Sequence, residues 1–336
     1  MRVLVTGGCG FVGSHQVVSL QQAGHEVFIV DDLSNSSEEV LNRIEKITGI
    51  KPEFLKANVL DTSLMLEVMS FSGAQSIIHF AGHKHVNESL HRTIDYYQNN
   101  VAGLLSIIRA ANGAGIYNLV FSSSGSVYGE TNQLPIVESH MHQPTNPYSS
   151  SKSMCETILQ DLCQHNPHWA VASLRYFNPA GAHPSGLIGE DPTGLLTNLL
   201  PVLMHAAVGN IEEVSVYGDN FKTPDGSAVR DYVHVCDVAE QHLRTLDYLQ
   251  ETNGYTAMNI GRGEGVSVFE MIKAVEQAAD IKLNYEIAPA RDGDVSALYG
   301  DTNFAEKCLG PYEYQDLQQI CADAWNWQSQ NPNGYK

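Results

Sequence analysis

The run VLVTGGCGFVG at residues 3–13 constrains this chain most. Val3–Thr6 is apolar and β-branched and reads as a strand. Gly7, Gly10 and Gly13 follow, and Val12–Ala23 has the pattern of a helix. A strand that ends in glycines and runs straight into a helix begins a β-α-β unit. Glycines there let the backbone approach a pyrophosphate, which then rests on the positive helix N-terminus. The spacing is G-x-x-G-x-x-G, and alone it fits a plain tight turn equally well.

The alternation continues. Strand-like runs fall at Val27–Val30, Glu53–Ala57, Ser76–Phe80, Asn118–Phe121 and Ala170–Leu174. Helical stretches lie at Ser63–Ser70, Asp95–Ala111 and Ser149–Cys163. The strands are short and nearly free of polar residues, as expected where both sheet faces are covered. The expected fold is α/β: a Rossmann-type doubly wound parallel sheet with a smaller C-terminal α/β lobe for substrate. The expected boundaries are 1–177 for the first unit, joined by part of 231–262, and 178–336 for the second. Asn178 to Gly194 is rich in Gly, Pro, His and Asp and reads as an irregular functional loop. Beyond it, helices are expected at Leu195–Ala207, Asp237–Gln250, Ser267–Ala279 and Tyr314–Gln328. Strands are expected there at Val214–Tyr217, Ala257–Ile260 and Asn284–Ile287.

The formal net charge of −19 argues against nucleic acid, which needs a basic face. No apolar run reaches transmembrane length and the N-terminus does not read as a signal peptide, so no membrane partner is expected. The six cysteines are scattered with no C-x-x-C, which suits free thiols in a reducing cytoplasm.

Three further features carry chemistry. The second strand ends at Asp31, eighteen residues after Gly13, where a carboxylate would accept ribose hydroxyls and repel a 2′-phosphate. NAD is therefore expected over NADP, with Asp32 as an alternative for that part. Ser122, Ser123 and Ser124 follow the fifth strand, at the edge where a parallel sheet opens on its ligand crevice. Tyr148 and Lys152 stand four apart on a helical run, so phenol and ammonium share a face. A cation beside the phenol would favour its ionised form and make it a base for a hydroxyl proton. A surface tyrosine resting on a lysine stem remains the plain alternative. His79, His83 and His85 cluster in sequence, but no acid or cysteine is placed to complete a metal shell, so they read as structural.

The glycine loop, Ser124, and Tyr148 with Lys152 resemble the extended short-chain dehydrogenase/reductase superfamily. The runs HFAGHKHVNES at 79–89, SSSGSVYGE at 122–130, RYFNPAGAHPSG at 175–186, GED at 189–191 and DGSAVRDYVHVCD at 225–237 are similar to its UDP-hexose 4-epimerases. The likeness spans essentially the whole chain. It implies an NAD site lined by Gly7, Gly10, Phe11, Val12, Gly13, Asp31, Asn35, Asn58, Val59, Phe80, Ala81, Gly82, Lys84, Asn99, Ser122, Lys152 and Tyr176. It implies catalysis by Tyr148, Lys152 and Ser124. It places a UDP-sugar on Asn178, Asn198, Tyr217, Arg230, Arg291, Asp294 and Leu298, and it implies a homodimer. The implied reaction interconverts UDP-galactose and UDP-glucose by transient oxidation at C4. Two positions depart from the family pattern. Asn58 replaces an Asp that meets adenine, and Leu298 replaces a bulky Tyr that gates the sugar 2-substituent. Neighbouring readings are an N-acetylhexosamine or UDP-glucuronate epimerase, a nucleotide-sugar dehydratase and a non-catalytic NAD sensor. A dehydratase needs acid groups beside its catalytic hydroxyl, and here Gly125 and Ser126 follow Ser124.

Overall fold

The computed structural model describes residues 1–131, 133–192, 196–291 and 295–336. Its centre is a seven-stranded parallel sheet. Six strands come from the first half: β1 (Arg2–Thr6), β2 (Glu26–Asp31), β3 (Glu53–Lys56), β4 (Ser76–His79), β5 (Asn118–Ser122) and β6 (Ala170–Tyr176). Their spatial order is β3-β2-β1-β4-β5-β6, and Gly254–Ile260 pairs along the outer side of β6.

Alternate residues of each strand feed two separate cores. Val3 and Val5 of β1 join one cluster with α1 (Phe11–Gln22), while Leu4 joins the other. In β4, Ile78 and Ile77 split the same way. This is why the strands lack the polar alternation of a half-exposed sheet. Successive strands are added on one side as β1, β2, β3 and on the other as β4, β5, β6, and at this switch point between β1 and β4 the carboxyl ends of the strands open a crevice.

The expected strands and the helix after Gly10 are present, with ends shifted by a residue or two. Three differences bear on the site. The helix expected over Asp95–Ala111 is built as Thr93–Tyr96, a wider turn of π type at Tyr97–Ala102, and Gly103–Ala114. Asn178–Ala180, expected as loop, is a short strand paired in parallel with Tyr232–His234. The run expected over Ala257–Ile260, inside the stretch 231–262 expected to join the first unit in part, starts at Gly254 and extends the large sheet, and the helix Val235–Glu251 before it packs on α1.

The remaining elements form a smaller lobe. Val229–Arg230 pairs with Val266–Ser267 and with Ala297–Leu298, and Val214–Tyr217 pairs with Tyr285–Ala288. Its core holds Leu203, Met204, Val214, Val216, Met271, Val275 and Ile320, drawn from those strands and the helices Leu199–Ala207, Val268–Ala279 and Leu317–Gln330. No helix among the described residues is long and apolar enough to cross a membrane.

Candidate active site

A cleft of about 1240 Å³ lies between the carboxyl edge of the large sheet and the smaller lobe. On the sheet side its wall begins with the glycine loop. Gly7 has φ +71°, and a side chain there would put Cβ 2.7 Å from the Ala81 nitrogen. At Gly13 a Cβ would sit 2.1 Å from the Gly7 carbonyl oxygen. Only glycine permits this close turn. Gly10 occupies the N-cap of α1 with no side-chain cap, so the free amides of the first turn face the cleft wall.

Two carboxylates stand at the end of β2. Asp31 is buried, with Oδ2 accepting from the Cys9 amide at 3.0 Å and Oδ1 from the Leu33 amide and the Ser36 hydroxyl, each at 2.9 Å. Burial raises its pKa, and these hydrogen bonds pull against that rise. Asp32 accepts from the Ser34 amide and from Asn58 Nδ2, both at 2.9 Å. Both acids line the cleft, so the choice between them stays open. Asn58 does not line it: its amide is spent on Asp32 and its oxygen on the Leu60 amide.

The catalytic candidates come from three neighbouring elements. The helix Pro147–His165 starts with Pro147 after Asn146, whose side chain accepts the Ser149 amide at 2.9 Å in a reciprocal cap. That cap puts Tyr148 in the first turn and Lys152 one turn on. The three serines after β5 each take a different partner. Ser122 bonds the Tyr176 hydroxyl, Ser123 bonds the carboxylate of Glu156, and Ser124 Oγ accepts from the Ser126 amide at 3.2 Å and favours the ionised form of Tyr148.

The electrostatics depart from the expectation for Tyr148. Burial raises its pKa and only the Ser124 hydrogen bond opposes this. Lys152 Nζ instead donates to the Ser122 carbonyl at 2.7 Å and lies 4.8 Å from the centre of the Phe121 ring. Burial lowers its own pKa to about 8, against the pull of Cys155 and Glu156. The lysine is close, but its cation is directed at a backbone carbonyl.

The π-type turn has a consequence here. It brings Asn99 to the cleft with Oδ1 buried and unpartnered, and it turns Asn100 inward. Asn100 accepts from the His83 amide at 2.8 Å and donates to the His83 carbonyl at 3.1 Å and to Ser151 Oγ at 2.9 Å. The loop after β4 is thereby tied to the catalytic helix. The histidines are occupied individually: His79 with Thr6 Oγ1 at 2.6 Å, His85 with Thr197 Oγ1 at 3.0 Å, and His83 against the Tyr96 ring.

On the smaller-lobe side Asn178, Asn198, Tyr217, Arg230, Arg291 and Leu298 all line the cleft. The Arg291 guanidinium stacks 3.7 Å from the centre of the Tyr217 ring. Leu298 is held beside Arg230 by strand pairing and packs on Val127, Tyr128, Ile136 and Phe177. Asp294 lies outside the described residues. Gly7, Gly10, Phe11, Val12, Gly13, Asn35, Val59, Phe80, Ala81, Gly82, Lys84 and Tyr176 also line the cleft. Glu190, from the GED run, had no role in the sequence reading yet accepts from both Lys84 and Asn198.

A cradle that excludes any Cβ, an acid pair beyond it and a buried unpartnered amide oxygen fit a dinucleotide. Together the fold and site define a dinucleotide-dependent α/β enzyme. Residues 3–261 match the model of the NAD dependent epimerase/dehydratase family, and the chain belongs to that family. The UDP-glucose 4-epimerase of Erwinia amylovora is 46% identical over 335 residues, 99% of each chain. That of Bacillus subtilis is 45% identical over 336 residues, 100% of this chain and 99% of its own. A solved UDP-glucose 4-epimerase of Bifidobacterium longum, in complex with NAD+ and UDP, superposes with a TM-score of 0.96 at 43% identity, covering 99% of this chain and 100% of that one. The Stenotrophomonas maltophila enzyme, with bound NAD and formylated UDP-arabinopyranose, gives 0.97 at 41% identity, covering 99% of both chains.

Proposed function

We propose that this protein interconverts UDP-galactose and UDP-glucose by reversible oxidation at C4, with NAD as a resident cofactor. The observation that carries this is that Tyr148 and Ser124 line the same cleft as the glycine loop and the two diphosphate-suited arginines. Gly7, Gly10 and Gly13 with the N-terminus of α1 would hold the pyrophosphate of NAD, and Asp31 or Asp32 its ribose. When bound there, NAD supplies hydride acceptance from C4 and hydride return. Tyr148 takes the proton of the 4-hydroxyl and gives it back, either directly or through Ser124. Lys152 fixes the carbonyl of Ser122 and so the register of the serine run. Arg230 and Arg291 anchor the diphosphate while the sugar turns over to present its other face. A tight grip on the nucleotide and a loose grip on the sugar is the arrangement such inversion needs.

A second copy of the chain is the expected partner. Val86, Leu90 and Ile94 expose apolar side chains four residues apart on short helices that pack against Pro147–His165, where Met154 is also exposed. Ile94→Asp should lower the mass seen by analytical ultracentrifugation to that of a monomer. All six cysteines are unpaired, which suits a cytoplasmic setting.

The deciding experiment incubates the purified protein with UDP-galactose without added NAD and assays UDP-glucose. No conversion, with NAD then supplied as well, would defeat the reading.

A further inference from the structure

Glu190 is an acid in a cleft meant for two diphosphates. A carboxylate there repels both ligands unless its charge is committed elsewhere. Its side chain is only 8% exposed, and its Oε1 accepts from Lys84 Nζ at 2.9 Å and from Asn198 Nδ2 at 2.8 Å. Lys84 stands on the cofactor side, with Nζ 5.9 Å from the centre of the Phe11 ring at the start of α1. Asn198 occupies the N-cap of the helix Leu199–Ala207, yet its side chain makes no cap bond. Asparagine is among the best caps, so this one has given up that role to point at Glu190.

Both neighbours of Glu190 are held from behind by Tyr335. Its hydroxyl bonds the Gly189 amide and the Gly189 carbonyl, each at 3.1 Å. Its backbone amide donates to Asp191 Oδ2 at 2.9 Å. The ring is backed by the Arg43 guanidinium, 4.9 Å from its centre. Arg43 Nη1 also donates to the Leu187 carbonyl at 3.0 Å and to Asn331 Oδ1 at 2.6 Å. Glu190 is therefore presented by a braced loop.

We propose that Glu190 is a positioning residue that joins Lys84 on the cofactor side to Asn198 on the sugar-nucleotide side, with Tyr335 holding it in place. The proposal rests on the assignment of the two halves of the cleft given above. Filling one half then sets the geometry of the other through a single shared oxygen.

The test is a double-mutant cycle read as UDP affinity by titration calorimetry on the protein as purified. Lys84→Met should weaken UDP by about fivefold, the lower end of ordinary coupling between sites, although Lys84 is on the cofactor side. In a Glu190→Gln background the same change should alter UDP affinity by less than about 1.5-fold. Equal factors in both backgrounds, or no effect of Lys84→Met on UDP at all, would overturn the proposal. Steady-state assays of Glu190→Gln should show KM for UDP-galactose rising with the UDP dissociation constant while kcat falls less than KM rises. A fall in kcat at constant KM would assign Glu190 to the chemistry and overturn a positioning role. Tyr335→Phe removes both hydroxyl bonds to Gly189 and serves in place of Glu190→Gln should the latter not fold. Absence of turnover in the unsubstituted protein would defeat the proposed reaction but leave the UDP cycle readable.

Discussion

Glu156 and Arg175 offer the sharpest test of how the catalytic helix is held. Glu156 lies one turn beyond Lys152 and is buried, and Arg175 reaches it from β6 through Nε at 3.0 Å to each carboxylate oxygen and Nη2 at 2.6 Å. Burial alone would raise the Glu156 pKa, but the Arg175 hydrogen bonds and charge outweigh it and hold the carboxyl below its ordinary value. Arg175→Met removes the counter-charge and leaves the carboxylate inside. Loss of one partner of a buried pair costs about 3–5 kcal/mol. Ser123 Oγ and Tyr255 Oη still donate to Glu156, so the lower end, about 3 kcal/mol, is expected. The sign of the pH dependence follows from the reversal of the shift. In the unsubstituted protein the Glu156 pKa is depressed, so its contribution is present above the unfolded value and lost as pH falls through the lower folded value. In the variant, burial without Arg175 raises the folded pKa. The deficit is then full at pH 8 and shrinks as pH falls toward the unfolded value of about 4.3. Urea unfolding at pH 8 and pH 5.5 measures both points. Adding Glu156→Gln should return about 2 kcal/mol at pH 8 by removing the orphaned charge. A deficit that is independent of pH, or a double variant no more stable than Arg175→Met, would refute this account.

Two further outcomes are expected. Gly13→Ala drives a Cβ to 2.1 Å from the Gly7 carbonyl oxygen and 2.9 Å from two further backbone atoms, so no flexible side chain can yield. Protein carrying it should purify with less than about a tenth of the bound NAD, read from absorbance after acid release, as expected for a displaced phosphate cradle. Leu298→Ser widens the cleft wall beside Arg230. It should raise kcat/KM on UDP-N-acetylgalactosamine relative to UDP-galactose by about tenfold, the scale of a pocket-size effect. An unchanged ratio would show that Leu298 does not bound the 2-substituent.

The sequence exposed what local pattern encodes. β1 to β6 announce themselves as short unbroken apolar runs, because a sheet covered on both faces needs no polar alternation. The glycine loop, the end of β2 and the Tyr148–Lys152 spacing likewise depend on neighbours only a few residues away. The misses are of another kind. That Gly254–Ile260 joins β6 is a pairing across some eighty residues, and nothing in its own residues names its partner. The π-type turn inserts one residue into a helical register that an apolar pattern leaves unmarked, yet it decides that Asn99 faces the cleft and Asn100 the loop after β4. Ser122, Ser123 and Ser124 look interchangeable in sequence, and only the fold hands them to Tyr176, Glu156 and Tyr148. Asn58 offers an acceptor on paper, but Asp32 and Leu60 claim its polar atoms first.

The protonation of Tyr148 is where site and chemistry pull in opposite directions. A base must be able to ionise, yet burial raises this phenol and the Ser124 hydrogen bond only partly offsets it. At an ordinary pKa near 10 about 0.1% would be phenolate at neutral pH, and the buried group has less. Lys152 is a turn away, but its Nζ is bonded to Ser122 and burial has already lowered its pKa to about 8. Above that pH the lysine loses its charge and can no longer favour the phenolate. The chain's own groups thus leave Tyr148 protonated until more positive charge arrives. The oxidised nicotinamide is such a charge, and an opposite charge within about 4–6 Å lowers a pKa by roughly 1–3 units. A difference titration of tyrosinate absorbance, protein minus its Tyr148→Phe variant, isolates this phenol. With NAD bound the midpoint should lie at least about one unit below that of the NAD-depleted protein. Coincident titrations with and without NAD would show that charge at the cofactor site does not reach the phenol and would refute this account of how Tyr148 becomes a base.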